Sequence, residues 1–359
     1  MKLYQLTNSQ PKSKMKASEG LSTGKYKFYT SSPIQSKYCE KAIYKSEALI
    51  FGTGGNPSVH YCNEPFSTST DCLVLYGNND KVNLELIYYY LFSNIHILEN
   101  GFKGAGLKHI SANYILNINI DLLNESVQNE ILNKIKLIDK LISKKKEQLN
   151  KLDIAIKSRF VEMFGNPVSN PYSLPEDTLP NLGKFGRGIS KHRPRNDIKL
   201  LGGKYPLIQT GDVANAGLYI TSYSSTYSEL GLKQSKMWDK GTLCITIAAN
   251  IAKTAILEFD ACFPDSVVGF IANERTNNIF IHYWFSFFQA ILESQAPESA
   301  QKNINLKTLS ELKVIVPEKK KQDQFAAFVA QTDKSKFEVQ KSLEKLELLK
   351  KSLMQKYFG

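Results

Sequence analysis

Apolar residues recur at spacings of three, four and seven through two stretches, 125–164 and 319–359. In the first, Ile131, Ile135, Ile138, Ile142, Leu149, Leu152 and Ile156 share one side of a helix. In the second, Phe325, Val329, Thr332, Val339, Leu343, Leu346, Leu349 and Leu353 do the same, with Lys and Glu on the other faces. Forty residues of helix make a rod of roughly 60 Å. An apolar seam on a rod needs a cover, and each rod is the other's obvious partner. The expectation is an antiparallel pair holding two globular domains apart; the alternative is that each helix packs on its own domain.

Upstream of each rod the pattern changes to short β-branched and aromatic runs between turn residues, which read as strands. They are 25–32, 48–55 and 71–77 in the first half and 202–212, 218–223, 242–248 and 265–272 in the second. The aromatic stretches 85–95 and 279–292 read as buried helices, and 115–120 and 312–317 as strands leading out of each domain.

The halves are copies. Residues 83–165 and 277–359 match without a gap at an offset of 194, closing on KSRFVEMFG and KSLMQKYFG. Asn83 meets Asn277, Tyr89 meets Tyr283 and Gln128 meets Gln322, and the register extends back through Asp71 and Asp265 to Asn56 and Asn250. A period this long means two similar domains in tandem, not a solenoid. The fold class expected is α+β, with two tandem globular α/β domains at 1–122 and 179–317. Two long antiparallel coiled-coil helices at 123–165 and 318–359 separate them, in a pseudo-two-fold internal repeat. A Pro-, Asn- and Ser-rich linker spans 166–178.

No apolar run approaches the roughly 20 residues that span a bilayer, so no membrane partner is expected. MKLYQLTNSQPKSK has no hydrophobic stretch after its charges and does not read as a signal peptide. Five cysteines, none in CxxC spacing, fit reduced thiols and a cytoplasmic location. The net charge of +12 points to a polyanion, and its placement sharpens this. Residues 1–45 carry +7, 184–212 carry +5, and the two long helices carry +3 and +5, against −8 for everything else.

Catalytic motifs are not found. GTGGNPS (52–58) lacks the order of a phosphate-binding loop, and its counterpart TIAANIA (246–252) has no glycine, so both read as turns with Asn56 and Asn250 as the positions of interest. PDS (264–266) begins like a nuclease carboxylate motif but has no lysine two places after Glu274. The Asn-Pro pairs lack the second Pro and aromatic of an amino-methylating site, and the five histidines show no metal spacing.

What the chain offers is readout chemistry. GRGISKHRPRND packs Arg187, Lys191, Arg193 and Arg195 with Ser190 and His192 around one proline; arginine forks onto guanine or grips phosphate. Gln209, Thr210 and Asp212 suit adenine and cytosine edges. Lys253 flanks Asn250. In the first half Lys12, Lys14, Lys16, Lys25, Lys27, Ser31 and Ser32 are the corresponding candidates. Lys108 and Lys302 stand in turns at equivalent points, suited to phosphate or to solvation. Each candidate also has the plainer reading of a solvated surface.

The ending KSRFVEMFGNP on a long helix, then a second basic domain and a second such helix, resembles the DNA-specificity (S) subunit of type I restriction–modification systems. The second half carries the resemblance most fully, in GISKHRPRND, GGKYPLIQTGDVANAG, WDKGTLCITIAANIAKTAIL and CFPDSVVGF. The first half is more divergent and lacks a counterpart of HRPRND. The resemblance implies two target-recognition domains, each reading one half of an interrupted site in double-stranded DNA. It implies that the paired helices dock methyltransferase (modification) subunits, with Ile131, Ile135, Ile138, Ile142, Leu149, Leu152, Val329, Leu343 and Leu346 as candidate helix contacts. It further implies a motor-nuclease (restriction) subunit and no catalysis by the chain itself. No cofactor would then bind here; methyl donor, magnesium and ATP would belong to the partners. Two other readings stay open, a single-chain restriction or methylation enzyme and a nucleic-acid-binding adaptor.

Overall fold

Where the β-branched runs give way to a 3.6-residue period, each repeat passes from sheet to helix. A computed structural model describes residues 1–79, 82–120, 125–295 and 304–358. The first repeat holds α1 (Leu3–Leu6), β1 (Thr7–Ser9), β2 (Tyr26–Tyr29), β3 (Lys37–Cys39), β4 (Ala48–Gly52), β5 (Ser58–Cys62), β6 (Phe66–Thr68), β7 (Cys72–Gly77), α2 (Leu84–Ser93), α3 (Ile95–Glu99), α4 (Ala112–Leu116) and α5 (Glu125–Phe164). The second holds β8 (Glu176–Thr178), α6 (Leu179–Leu182), β9 (Gly183–Arg187), β10 (Leu201–Leu207), α7 (Thr210–Asn215), β11 (Tyr219–Ile220), β12 (Ser225–Tyr227), α8 (Glu229–Lys233), β13 (Met237–Trp238), β14 (Leu243–Thr246), β15 (Thr254–Leu257), β16 (Ala261–Cys262), β17 (Val267–Ala272), α9 (Asn278–Gln295), α10 (Leu306–Glu311), β18 (Lys313–Ile315) and α11 (Lys319–Phe358). Two compact bodies divide the chain: residues 1–146 with 340–359, and residues 147–339.

The first body has a sheet β1-β7-β4-β5 and a smaller one β3-β2-β6; the second has β11-β15-β14-β17-β9 and β12-β10-β16-β13. In each, one strand pair of the smaller sheet is parallel: β2 with β6, and β10 with β16. The topologies superpose as β1 on β9, β4 on β14, β7 on β17, β2 on β10 and β6 on β16.

The ladders correct the constant offset. Leu49 faces Tyr61 and Leu75, but Leu243 faces Ile256 and Phe270, each one residue beyond the partner the offset requires. The β14–β15 tip therefore carries one extra residue, and Asp71 and Asp265, aligned in sequence, sit at different ladder positions.

Two expected strands are also corrected. Residues 115–120 do not form one: α4 occupies their start, capped where Tyr114 N donates to Ser111 Oγ at 3.1 Å, and only an isolated Lys2–Asn119 bridge follows. Residues 210–212, read as the end of a strand, open α7. The turns α1 and β1 were hidden in a segment whose lysines dominate its pattern, yet Leu3 and Leu6 are buried.

Both long helices form as expected, 40 residues each. The residues feeding them repeat the same contacts. Asn83 Oδ1 accepts from Leu86 N at 3.0 Å and Asn277 Oδ1 from Phe280 N at 2.8 Å, capping α2 and α9 alike. Tyr89 donates to Asp139 Oδ2 at 3.2 Å; at the offset, burial and then the Asp333 carboxylate raise the Tyr283 phenol.

Within each body the helices pair antiparallel. Asp139 meets Lys350 at 2.6 Å and Lys146 meets Glu347 at 3.2 Å in the first. In the second, Asp153 meets Lys336 at 2.6 Å and Phe160 packs on Phe325. The repeated ending is an apolar anchor. Phe164 closes α5 inside the core of the second body, against Phe160, Phe280 and Phe325. Phe358 closes α11 inside the first, with Leu86, Ile131 and Ile135. Of the expected seam, Ile131, Ile135, Ile138, Ile156, Val329, Thr332, Val339 and Leu343 are buried. Ile142, Leu149, Leu152, Leu346 and Leu353 are half-buried, and Leu349 is exposed, a correction: mid-rod there is no domain beside the pair to cover a wide apolar stripe.

Truncating Phe164 to Ala removes a fully buried ring and lowers unfolding free energy by about 3–5 kcal/mol, measured by denaturant melts; a loss below 1 kcal/mol would show the anchor to be ornamental. A second outcome concerns pH. Burial holds the His282 imidazole down to about 4, below its ordinary 6.5, while Thr254 Oγ1 shares a 2.9 Å hydrogen bond with its Nδ1. The unfolded chain then binds the extra proton first, so stability falls as pH drops from 6.5 towards 4. His282→Gln flattens that limb of a melting-temperature profile.

Candidate nucleic-acid interface

In the second body the basic loop leaves β9 at a point only glycine can occupy. A Cβ on Gly188 would lie 2.2 Å from Phe263 O and 2.4 Å from Pro264 O. That close pass brings Arg187 beside Asp265, whose backbone O accepts from Arg187 Nε at 2.8 Å. The side chain of Asp265 takes two further arginines: Arg193 Nη2 at 3.3 Å from Oδ2 and Arg195 Nη2 at 2.5 Å from Oδ1. Three of the four expected cations thus converge on one acid that sequence reading set aside as a failed nuclease motif.

The loop is pinned along its length as well. Gln234 Oε1 accepts from Lys191 N at 2.6 Å and His192 N at 3.0 Å, and Ser235 Oγ donates to Ile189 O at 2.7 Å. Arg193 Nη1 donates to Ser190 O at 2.6 Å and His192 O at 2.8 Å. His192 Nε2 lies 3.1 Å from Asp197 Oδ2; the Lys199 amide and then His192 hold that carboxyl below its usual range.

Opposite this loop, β10 ends and α7 begins. Between them is a cleft of about 240 Å³ lined by Ser190, Arg195, Asn196, Gln209, Thr210 and Ser266, among others. Two segments chosen separately from sequence meet on one concavity. Ser190 is buried, and its Oγ has no protein partner, although it faces acceptors and donors across the cleft. Asp212 is otherwise engaged: it caps α7, accepting from Gln209 N at 2.8 Å and from Ser224 Oγ at 3.0 Å. Asn250 is exposed at the β14–β15 tip, where Ala249 and Ala252 take positive φ and Thr246 Oγ1 accepts from Lys253 N at 3.1 Å. Lys302 lies outside the described residues.

In the first body the equivalent places are filled differently. Tyr29 stands opposite Thr68 as Leu207 stands opposite Cys262, so Ser31–Ser32 follow β2 where Gln209–Thr210 follow β10. Ser31 Oγ donates to Asp71 O at 2.8 Å, and Ser32 O is bound by His60 Nε2 at 2.9 Å. Gly52 permits this: a Cβ there would come within 2.8 Å of Ser31 Cα. The β4–β5 tip carries exposed Asn56, and Gly55 N donates to Lys108 O at 3.0 Å. Ser31, Ser32, Asn56 and Lys108 are therefore neighbours. Lys12, Lys14 and Lys16 are exposed in the segment that leaves β1, the strand matching β9, so they stand where the arginine loop stands in the second body. Lys25 lies over the Tyr26 ring at 5.2 Å, and Lys27 pairs with Glu64 at 3.4 Å. Both have local roles.

A model of the type I restriction modification DNA specificity domain matches residues 1–153 and again 181–350. The chain belongs to this family. Its role is accordingly that of a DNA-recognition subunit of type I restriction–modification. Solved structures share the fold of this specificity chain across its whole length. The type I restriction–modification S subunit from M. genitalium is 16% identical with a TM-score of 0.62, covering 100% of this chain and 95% of its own. A chain from a study of complex assembly and conformational transition of the type I R-M system is 13% identical with a TM-score of 0.60, covering 100% and 96%. The specificity domains' Asp265, Gln234 and Ser235 were missed by sequence reading. Their only signal was position, inside or beside the long stretches of family resemblance.

Proposed function

We propose that the chain reads an interrupted duplex site, one half with each recognition domain, and docks modification subunits through its long helices without catalysing a reaction itself. The observation that carries this is the matched placement of two recognition surfaces. Lys12–Lys16 and Arg187–Arg195 leave equivalent strands, and Ser31–Ser32 and Gln209–Thr210 follow equivalent strands. Lysine and arginine supply phosphate contact, and Gln, Thr, Ser and Arg supply base-edge partners. In this reading the methyl donor, magnesium and ATP bind to the modification and restriction subunits, and the chain works inside the cell.

Half-site reading has a direct test. In the native assembly, Arg187→Ala with Arg193→Ala relaxes base preference in one half of the methylated site, and Lys12→Ala with Lys14→Ala weakens binding without touching that half. Methylation-sensitive sequencing of host DNA reads both; equal damage to both halves refutes the assignment. Cleavage or methylation by the purified chain alone, with magnesium and methyl donor, would refute the non-catalytic part.

Docking cannot use the seam residues first suggested for it. Ile131, Ile135, Ile138, Val329 and Leu343 are buried within the chain's own packing. The helices instead expose other apolar side chains, Leu137 at 59%, Phe337 at 66% and Leu348 at 68%. These are the contacts we assign to modification subunits. Leu348→Asp is expected to abolish co-purification with the modification subunit while leaving the chain's own melting temperature within 2 °C or so of wild type, since surface changes cost little. Unchanged co-purification for Leu348→Asp and Phe337→Asp together would move the docking surface elsewhere.

A further inference from the structure

A carboxylate in the middle of a DNA-reading surface is an electrostatic oddity: it repels the phosphates that the surrounding cations attract. Asp265 is such a group, and it is not at the rim. Its Oδ1 is out of contact with solvent, its backbone O takes Arg187, and its two carboxylate oxygens take Arg195 and Arg193. The two ion pairs are unequal. Arg195 sits at 2.5 Å from the shielded Oδ1, whereas Arg193 sits at 3.3 Å from Oδ2 and is half-exposed. Arg195 also lines the cleft with Ser190, whose buried Oγ has no protein partner, and with Gln209 and Thr210.

We infer that Asp265 is a specificity-determining residue of the second recognition domain: it occupies the arginines so that a neutral base edge, and not a phosphate, is the acceptor that draws them away. The inference rests on the DNA-reading assignment of this cleft. The physical reason is a difference in charge between two competing acceptors. A phosphate approaching Arg193 or Arg195 must come close to the Asp265 carboxylate, and like charges at that range repel. The O6 and N7 atoms of guanine accept from the same guanidinium without that repulsion. The acid therefore weakens the acceptor present at every step of any duplex and spares the one present only in the right sequence, which is discrimination by penalising the wrong partner. The held geometry adds to this, because Arg195 is already at the cleft wall and loses less freedom on binding. Arg187, bound only through Nε among the described residues, keeps both Nη groups for phosphate contact.

The first body has lysines in the matching segment, so the effect is confined to one half of the site. The test uses the assembly of this chain with its native partner subunits and duplexes selected from a random-sequence pool. Asp265→Asn keeps the size of the side chain and removes its charge. It is expected to raise affinity for arbitrary duplex about tenfold, to steepen the slope of log affinity against log salt by about one per phosphate gained, and to lower discrimination at the second half-site at least tenfold. Asp265→Glu restores discrimination in part, and the first half-site keeps its preference in both variants. A purely structural role predicts the opposite pattern. If Asp265→Asn weakens binding to all duplexes alike and leaves the salt slope unchanged, the acid only props the loop and the inference is wrong. It is also wrong if Asp265→Asn discriminates as wild type does. Failure of the wild-type assembly to prefer any sequence would instead remove the DNA-reading assignment itself.

Discussion

A helix of 40 residues with an apolar edge cannot be satisfied by a domain of about 100 residues beside its first turns. The structure resolves this by burying the far end of each helix as well. Phe164 and Phe358 complete cores assembled from the other repeat's aromatic helix, while Ile131, Ile135, Phe325 and Val329 pack near the start of each rod. Because each body takes the beginning of one helix and the end of the other, neither core is complete without both repeats. The repeated ending in sequence is the visible trace of that requirement, and the antiparallel pairing follows from it. The Tyr89–Asp139 contact and its counterpart at Tyr283 and Asp333 add a polar fix for rotation about each rod, where apolar packing alone would permit slippage.

This arrangement was largely legible in the sequence, for a physical reason. Helix period, caps such as Asn83 and Asn277, and a two-fold repeat are local or self-referential patterns, and they survive without knowledge of tertiary contacts. The errors fall where tertiary contacts decide. Residues 115–120 have strand propensity, but Ser111 caps a helical turn there and only Lys2 is available to pair. The offset of 194 holds through the helices and slips by one in the sheet, since a hairpin tip takes up an extra residue without disturbing either strand. Leu349 has the right spacing for the seam and still faces water.

The candidate surface was legible in its cations and not in its counter-charge. Arginines announce themselves as a cluster; the residue that organises them is 70 positions or more away and carries the opposite sign. Asp265 could be found only once Gly188 had brought two strand ends within contact. The same holds for Gln234 and Ser235, which fix the loop through its backbone and so leave no compositional mark. Ser31 and Ser32, by contrast, were chosen for weak reasons and stand at the place of Gln209 and Thr210 because β2 and β10 share a parallel ladder.

The two surfaces differ in more than degree. The second body presents arginines bound to a carboxylate beside a walled cleft, a set in which every donor already has an acceptor to exchange. The first presents lysines on an extended segment and serines, an asparagine and a histidine around a hairpin tip, with Asp71 contributing only its backbone carbonyl to Ser31 and Thr53. Lysine is a compact, well-hydrated charge that suits phosphate, while the arginine fork suits planar acceptors. A chain built this way divides its labour unevenly: the arginine cleft carries sequence preference through guanidinium geometry, and the lysine segment carries attraction to the duplex, with preference left to the short polar side chains at the tip. Duplication supplied the frame for both, and the divergence lies in the loops that follow equivalent strands, where a change of residue alters what is read without disturbing the aromatic cores that hold the helices.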